Sequence, residues 1–385
     1  MKKVIWGVCL FFLGLGLVYA EENDLASNAK SAVLMDFNSG EILYQKNENE
    51  ALPPASMTKI ASMLLIMEEI DAGRLSFDDD VTISERASSM GGSQLFLQTG
   101  EVYKVRELLK GVAVASGNDA ILALSEKAFG SVENFVTKMN EKANSLGLTS
   151  TVFKNPHGLD TEGHTSSARD MAILARELIK HEKILEFTRI YEDYLKKNDG
   201  TSIWLVNTNR LVRFYDGVDG LKTGFTQTAG YCLTATAKKN NLRLIAVVMG
   251  EETSDKRNSD ITNMLNYGFN SYKNVILYSK DNALGTKRVE NGEEETVSIA
   301  LKEDYTKLLK NTDDVPHYSY NVEVDSLKAP LEKGKIYGQA QVIDENGQLI
   351  TSLDVTVLKS VNKASYFKLF LRNIKNISAG KILIK

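Results

Sequence analysis

The stretch Pro53-Pro54-Ala55-Ser56-Met57-Thr58-Lys59-Ile60 constrains this chain more than any other. Two prolines favour extended backbone ahead of it, and the run from Ile60 to Ile70 is apolar except at Ser62, Glu68 and Glu69, so a helix is expected from about Ser56. Its first half is apolar on every face. A soluble-protein helix of that kind is buried, which places it at the centre of a domain. Ser56 and Lys59, three apart, share one helix face with the amine in reach of the hydroxyl. The hydroxyl also sits at the helix's positive end, where developing negative charge is favoured. A serine needs a base to become a nucleophile, and a lysine kept neutral by burial or by a second cation supplies one. The pattern alone is cheap, because Ser-x-x-Lys recurs at Ser27/Lys30, Ser360/Lys363, Ser365/Lys368 and Ser378/Lys381. Chemistry at Ser56 therefore requires partners elsewhere in the chain.

With 385 residues, 43% hydrophobic and 25% charged, the chain is long enough for two domains with their own cores. Residues 1–20 stand apart: Lys2 and Lys3, an apolar run from Val4 to Val18, then Ala20 before Glu21. This is the pattern of a secretory signal peptide cut after Ala20, and the run is short for a spanning helix; an uncleaved anchor is the competing reading. Cys9 lacks the small residues that precede a lipidated cysteine. Cys232 is then the one cysteine left, so no internal disulfide is available and a small buried side chain is expected. His157, His164, His181 and His317 show no metal-ligand spacing, and no metal or other cofactor is implied. The net charge is −4, yet from Val355 onward there are seven cations and no acid. A basic end on an acidic body points to an anionic surface for the tail and argues against nucleic acid as a partner.

In chain order, Ser31–Met35 and Glu41–Gln45 read as a hairpin turning at Asn38-Ser39-Gly40. Residues 74–100 look irregular. A helix is expected over Val102–Ala115, then a tight turn at Ser116-Gly117-Asn118, then helices over Asp119–Phe129, Glu133–Ser145 and Met171–Ile179. Asn118 or Asp119 is available as an N-cap after that turn. Strand-like segments follow at Ser202–Asn207, Leu221–Thr226, Tyr231–Ala237 and Arg243–Met249, closed by a helix over Ile261–Tyr267. A hairpin, a helical block, strands and a last helix make an α/β layered domain over 21–272, its late strands free to pair antiparallel with the early hairpin. From about Asn274 short alternating segments between turns indicate a small all-β domain, a sandwich, over 273–360. In 361–385, Tyr366, Phe367, Phe370, Leu371, Ile374 and Ile377 share one helical face, with cations elsewhere. Such a basic amphipathic helix suits a membrane interface; a helix packed on the β domain is the alternative.

Ser56-x-x-Lys59, Ser116-Gly117-Asn118 and Lys222-Thr223-Gly224 occur in the order known for penicillin-recognising enzymes. With Gly92–Gly100, Asn155–Asp160, Ala168–Met171 and Gly217–Thr226, they resemble the low-molecular-mass penicillin-binding proteins, nearest to exported D-alanyl-D-alanine carboxypeptidases with a β-rich second domain and an amphipathic anchor. The resemblance implies a penicillin-binding-protein/β-lactamase-like transpeptidase fold, an antiparallel sheet flanked by helices. It also implies a role for each matched residue: Ser56 as acylated nucleophile, Lys59 as its base, Ser116 as proton relay to the leaving amine, and Asn118 as holder of the substrate amide. Lys222 would keep Lys59 neutral and draw in the terminal carboxylate, which Thr223 would bind beside Gly224. The amides of Ser56 and Phe225 would form the oxyanion hole, and Arg257, on the approach to the last helix, resembles a further carboxylate ligand. His157 is assigned no chemical step. Implied partners are peptidoglycan stem peptides ending in D-Ala-D-Ala, β-lactams as covalent inhibitors, and a membrane surface.

Three rivals share these motifs. A class A β-lactamase needs a Glu-x-x-x-Asn element between the second and third motifs, and none stands at suitable spacing. A D,D-endopeptidase would use the same residues. A penicillin- or wall-binding protein would acylate without turning over.

Overall fold

In the computed structural model, residues 24–197 and 200–378 are described; the expected signal peptide over 1–20 lies outside them. Strands β1 (Ser31–Asp36) and β2 (Ile42–Lys46) form the early hairpin, with Gly40 at φ +77° in its turn. Ala55–Thr58 is a 3-10 turn, and helix α1 (Lys59–Asp71) follows it directly. The helix thus starts three residues later than the sequence suggests, and Ser56 lies on the tighter turn in front of it. Every residue of α1 from Lys59 to Met67 is buried, as its all-round apolar first half predicts.

Helices α2 (Val105–Ala115), α3 (Asn118–Phe129), α4 (Val132–Ser145) and α5 (Ala168–Lys180) complete the helical block. Ser131 and Ser167 cap α4 and α5, their hydroxyls accepting from the amides three residues on. The stretch read as irregular contains a short strand, Asp80–Thr82, paired with Val102–Lys104, and a helical turn, Glu85–Ser88. Elements of three or four residues carry too few side chains to show a period. A two-stranded hairpin, β3 (Glu192–Lys196) and β4 (Ser202–Val206), was half visible: the second strand is apolar enough to read, the charged first one is not.

The main sheet has the order β2-β1-β7-β6-β5, all antiparallel, where β5 is Val218–Thr226, β6 Gly230–Lys239 and β7 Leu242–Glu251. The late strands do pair with the early hairpin, through β1 and β7. Alternation divides the strands between two cores. Val33, Met35, Ile245, Val247 and Met249 face the helical block with α1 at its middle. Ala32, Leu34, Leu244, Ala246 and Val248 face Ile261, Met264 and Leu265 of α6 (Ser254–Ser271) on the other side. Helix α6 begins seven residues before the expected start because Thr253 caps it through the Lys256 amide, and its polar first turn hides it from a reading based on apolar period.

Strand β8 (Tyr272–Tyr278) then leads into the β-rich part: β9 (Gly285–Glu290), β10 (Thr296–Leu301), β11 (Tyr305–Lys310), β12 (Ser319–Val324), β13 (Leu327–Lys328), β14 (Gly338–Ile343) and β15 (Leu349–Val357). A six-stranded sheet of order β12-β14-β15-β10-β9-β13 holds Val297, Ile299, Val355 and Val357 in its core. The β8–β11 ribbon lies against that core through Tyr278 and Tyr305. Helix α7 (Tyr366–Ser378) has no buried residue, and Arg372 ties it to the carbonyls of Gly292 and Glu293 and to Glu295.

One buried group in the frame carries a pH dependence. The Glu251 carboxyl, at the end of β7, is 1% exposed and faces Asp260 of α6. Burial, with the Asp260 carboxylate beside it, pushes its pKa from 4.5 to about 8. The unfolded chain therefore loses this proton at lower pH than the folded one, and the stability it contributes is lost as pH rises toward 8. Glu251→Gln keeps a donor facing Asp260 without the charge. Thermal melts should show the variant more stable than the parent by several degrees at pH 8.5, on the order of 1–2 kcal/mol, with the gap closing at pH 4.5.

Candidate active site

The site forms where three elements converge on the start of α1. The Lys59 side chain is fully buried, and its Nζ lies 2.9 Å from Ser56 Oγ, 2.7 Å from Asn118 Oδ1 and 2.9 Å from the His157 carbonyl. Burial, then the nearby charge of Lys222, hold its pKa well below the ordinary lysine value, against an opposing pull from Asp119. A neutral amine has two hydrogens and one lone pair. Asn118 Oδ1 and the His157 carbonyl can only accept, so they take the two hydrogens, which leaves the lone pair for the Ser56 hydroxyl proton.

Asn118 opens α3 but does not cap it: the N-cap is Gly117, with no side-chain cap bond. The capping reading of Asn118 and Asp119 is therefore corrected. Asn118 accepts from Lys59 and donates through Nδ2 to the Gly91 carbonyl at 2.7 Å. The Asp119 carboxylate accepts from the Leu95 and Leu97 amides at 2.9 and 3.2 Å, so it pins the 91–97 segment over the turn. Ser116 sits in that turn with left-handed backbone, φ +63°, and its buried hydroxyl has no hydrogen-bond partner among the described residues. A buried polar atom left unpaired is costly, so this hydroxyl calls for a role beyond packing.

Strand β5 brings the third motif. Gly224 runs so close to the serine's approach that a Cβ there would lie 2.7 Å from the Pro54 carbonyl oxygen, so only glycine lets the strand edge meet the start of α1. Phe225, the next residue, is half exposed, its ring 4.3 Å from that of Tyr231 across the strand pair. Lys222 is buried, with Nζ donating to the Thr223 carbonyl at 3.2 Å, and burial plus the charge of Arg257 lower its pKa to about 7. Thr223 donates its hydroxyl to Thr208 Oγ1 at 2.7 Å. Arg257 lies within the first turns of α6, not ahead of the helix, and its buried guanidinium holds Asn258 Oδ1. The structure thus gathers Ser56, Lys59 and Asn118 by direct contact, with the Lys222 and Arg257 charges close enough to be felt.

Sequence reasoning missed two supports. Gly158, at φ +88°, packs where a Cβ would lie 1.9 Å from the Ala55 carbonyl oxygen, and this contact delivers the neighbouring His157 carbonyl to Lys59. His157 contributes its backbone, which residue type cannot signal. His164 is buried, and its pKa is lowered to about 4, chiefly by burial. Nδ1 accepts from the Lys154 amide at 3.0 Å, so Nε2 carries the hydrogen and donates to Thr58 Oγ1 at 2.8 Å; Thr58 in turn donates to the Ala55 carbonyl. This chain of bonds braces Ala55, whose φ of +47° sets the turn carrying Ser56.

A serine hydroxyl against a buried, neutralised lysine, roofed by an asparagine and flanked by a basic strand edge, defines an active-site-serine acyl-transfer enzyme. Residues 18–253 match the D-alanyl-D-alanine carboxypeptidase family, and residues 272–363 match the C-terminal domain of penicillin-binding protein 5. The chain is 47% identical to D-alanyl-D-alanine carboxypeptidase DacF of Bacillus subtilis over 353 residues, 91% of this chain and 90% of that one. Penicillin binding protein 5 from Haemophilus influenzae superposes with a TM-score of 0.66 at 33% identity, over 87% of this chain and 98% of that one. Penicillin-Binding Protein D2 from Listeria monocytogenes, in its ampicillin-bound form, gives 0.56 at 31% identity, over 63% and 98%. The chain belongs to the D-alanyl-D-alanine carboxypeptidase family of penicillin-binding proteins.

The expected role of Lys222 in drawing in the substrate's carboxylate implies a pH limit. A cation that attracts a carboxylate loses that power as it deprotonates, so kcat/KM for a carboxylate-terminated peptide should fall as pH rises through about 7. In kcat the same limb should move to higher pH, because a bound carboxylate stabilises the ammonium form. A pH profile of D-alanine release, analysed separately for the two constants, checks this.

Proposed function

We propose that the protein removes the terminal D-alanine from peptidoglycan stem pentapeptides through an acyl-enzyme on Ser56. The observation that carries the reading is the Lys59 amine with its two acceptors occupied and its lone pair toward Ser56 Oγ. Ser56 attacks the carbonyl between the two D-alanines while Lys59 takes the hydroxyl proton. The oxyanion forms against the Ser56 and Phe225 amides, each donor worth about 3 kcal/mol in other hydrolases. Ser116, whose hydroxyl has no partner among the described residues, passes the proton to the leaving amine, and D-alanine departs. Lys222, Thr223 and Arg257 hold the substrate's terminal carboxylate. Water then cleaves the ester. A β-lactam follows the first step and stalls at the second, as the ampicillin-bound form of the Listeria relative suggests.

Free D-alanine should appear from a peptide ending in D-alanyl-D-alanine with the parent enzyme, and Ser56→Ala should lower the rate by at least about 10⁴-fold. A fluorescent penicillin should label the parent and not the variant. Release from cross-linked dimers but not from pentapeptide would assign an endopeptidase instead.

The division we adopt is a catalytic unit over 21–272, a β-rich unit over 273–360 and an anchor over 361–385, exported and held on the outer face of a cytoplasmic membrane. No helix among the described residues is long and apolar enough to cross a membrane. Support for a surface anchor comes from α7, where Tyr366, Phe367, Phe370 and Ile377 are all exposed on one side of a helix flanked by cations. Deleting 361–385 should abolish co-sedimentation with anionic vesicles and leave D-alanine release from soluble peptide unchanged.

A further inference from the structure

Five aromatic side chains of residues 24–271 are exposed: Phe96, Tyr194, Trp204, Phe214 and Phe225. Two have covering partners. Phe225 lies on Tyr231, and Phe214 meets Tyr191 edge-on with the Arg213 guanidinium over its ring. Phe96, Tyr194 and Trp204 have no ring or cation partner among the described residues, at 64%, 58% and 59% exposure. Tyr194 and Trp204 are direct partners across the β3–β4 hairpin, the arrangement in which aromatic rings ordinarily stabilise a strand pair by touching. Here no ring pair forms between them among the described residues, and the hairpin is held from its other face by the buried Leu195 and Leu205. The two rings are therefore not explained by the stability of the hairpin.

Phe96 is unexplained in the same way and is also strained. Its φ of +53° is uncommon for a bulky residue, and strain of this kind collects where function requires it. Asp119 imposes it by accepting from the amides on either side, with Leu95 and Leu97 buried inward and the Phe96 ring sent outward.

The segments that carry the three rings are tied to one another and to elements of the catalytic cleft. Lys197, at the end of β3, donates to the Phe96 carbonyl at 3.0 Å. Lys110 of α2, the helix that ends at Ser116, donates to the Tyr194 carbonyl at 3.0 Å and pairs with Asp193. Beyond β4, Thr208 accepts from Thr223 of the strand edge. The hairpin is thus braced against the 91–97 segment and α2, the chain just beyond it against β5, and Lys196 is exposed on the same strand as Tyr194.

We infer that Phe96, Tyr194 and Trp204 form a stacking platform for the saccharide strand that carries the stem peptide. Alternating aminosugars present flat C–H faces that lie on aromatic rings, ringed by hydroxyls and amides, and Lys196, exposed beside Tyr194, can donate to those oxygens. The unpaired rings, the lysine beside them and the continuity with the cleft favour this occupant over an apolar protein partner, which would require a dry contiguous patch without lysines. The platform would hold the polymer so that its peptide enters beside Ser116.

This inference rests on the reading of the cleft as a peptidoglycan-trimming site, and the two can fail separately. In a chain beginning at Glu21, Trp204 is the single tryptophan, so its emission reports the platform directly. With Ser56 first acylated by penicillin, peptide-free glycan strands should change that emission saturably, and Tyr194→Ala should weaken the half-saturating concentration about five- to tenfold. In turnover, Trp204→Ala and Tyr194→Ala should each lower kcat/KM for a disaccharide pentapeptide relative to the free pentapeptide by a similar factor. An unchanged emission, an equal response to a polyanion without sugar rings, or an equal loss on both substrates overturns the platform. Absence of D-alanine release from the free pentapeptide by the parent enzyme would instead overturn the reading of the cleft.

Discussion

The structure depends on hiding one lysine amine. An ammonium group buried without an anion costs several kcal/mol, and Lys59 has no carboxylate in contact. The fold meets that cost by favouring the neutral amine and giving both its hydrogens to fixed acceptors. Each acceptor comes from a different place: Asn118 from the start of α3, the His157 carbonyl from the loop before α5. The turn ahead of α1 must then present Ser56 to the remaining lone pair. Three segments far apart in sequence are therefore registered to one nitrogen within about an ångström, and the all-round burial of α1 keeps that nitrogen fixed.

The same demand explains features that look unrelated. Gly158 packs on the Ala55 carbonyl and Gly224 on the Pro54 carbonyl, and both allow backbone to approach closer than any side chain would permit. Between them the 3-10 turn has no room to relax, so Ala55 stays at positive φ with its carbonyl tied by Thr58 and backed by His164. His164 serves here as an uncharged donor–acceptor, and its lowered pKa follows from burial. A charged imidazole would lose the Lys154 amide bond and place a second cation near Lys59.

What the sequence made legible follows the range of each signal. The all-round apolar half of α1, the antiparallel return of β7 onto β1 and the motif triad were readable, because burial and strand alternation leave a period and Lys-Thr-Gly occurs once. The onset of α6 was not, since its first turn is polar and a threonine cap has no apolar partner to mark it. Residues 74–100 hid their short strand and turn for lack of length. The site was legible in its side chains and hidden in its backbone: Ser56, Lys59 and Asn118 could be named, whereas the His157 carbonyl and the close approach at Gly158 depend on tertiary contact that no residue type encodes.

Asn118 and Asp119 show why a local rule can fail at such a place. By position both are good caps, and capping would stabilise the start of α3 by about 1 kcal/mol. Neither is the N-cap: Asn118 turns to Lys59 and the Gly91 carbonyl, and Asp119, besides its bond from the Ala120 amide, accepts from the amides flanking Phe96. The helix gives up a cap, and the neighbouring Phe96 is left strained and exposed. Local sacrifices at two adjacent residues have one common effect, which is to fix the 91–97 segment as a wall beside the serine. A protein selected for stability alone would have capped the helix; this one has used the two residues to shape what the cleft can receive.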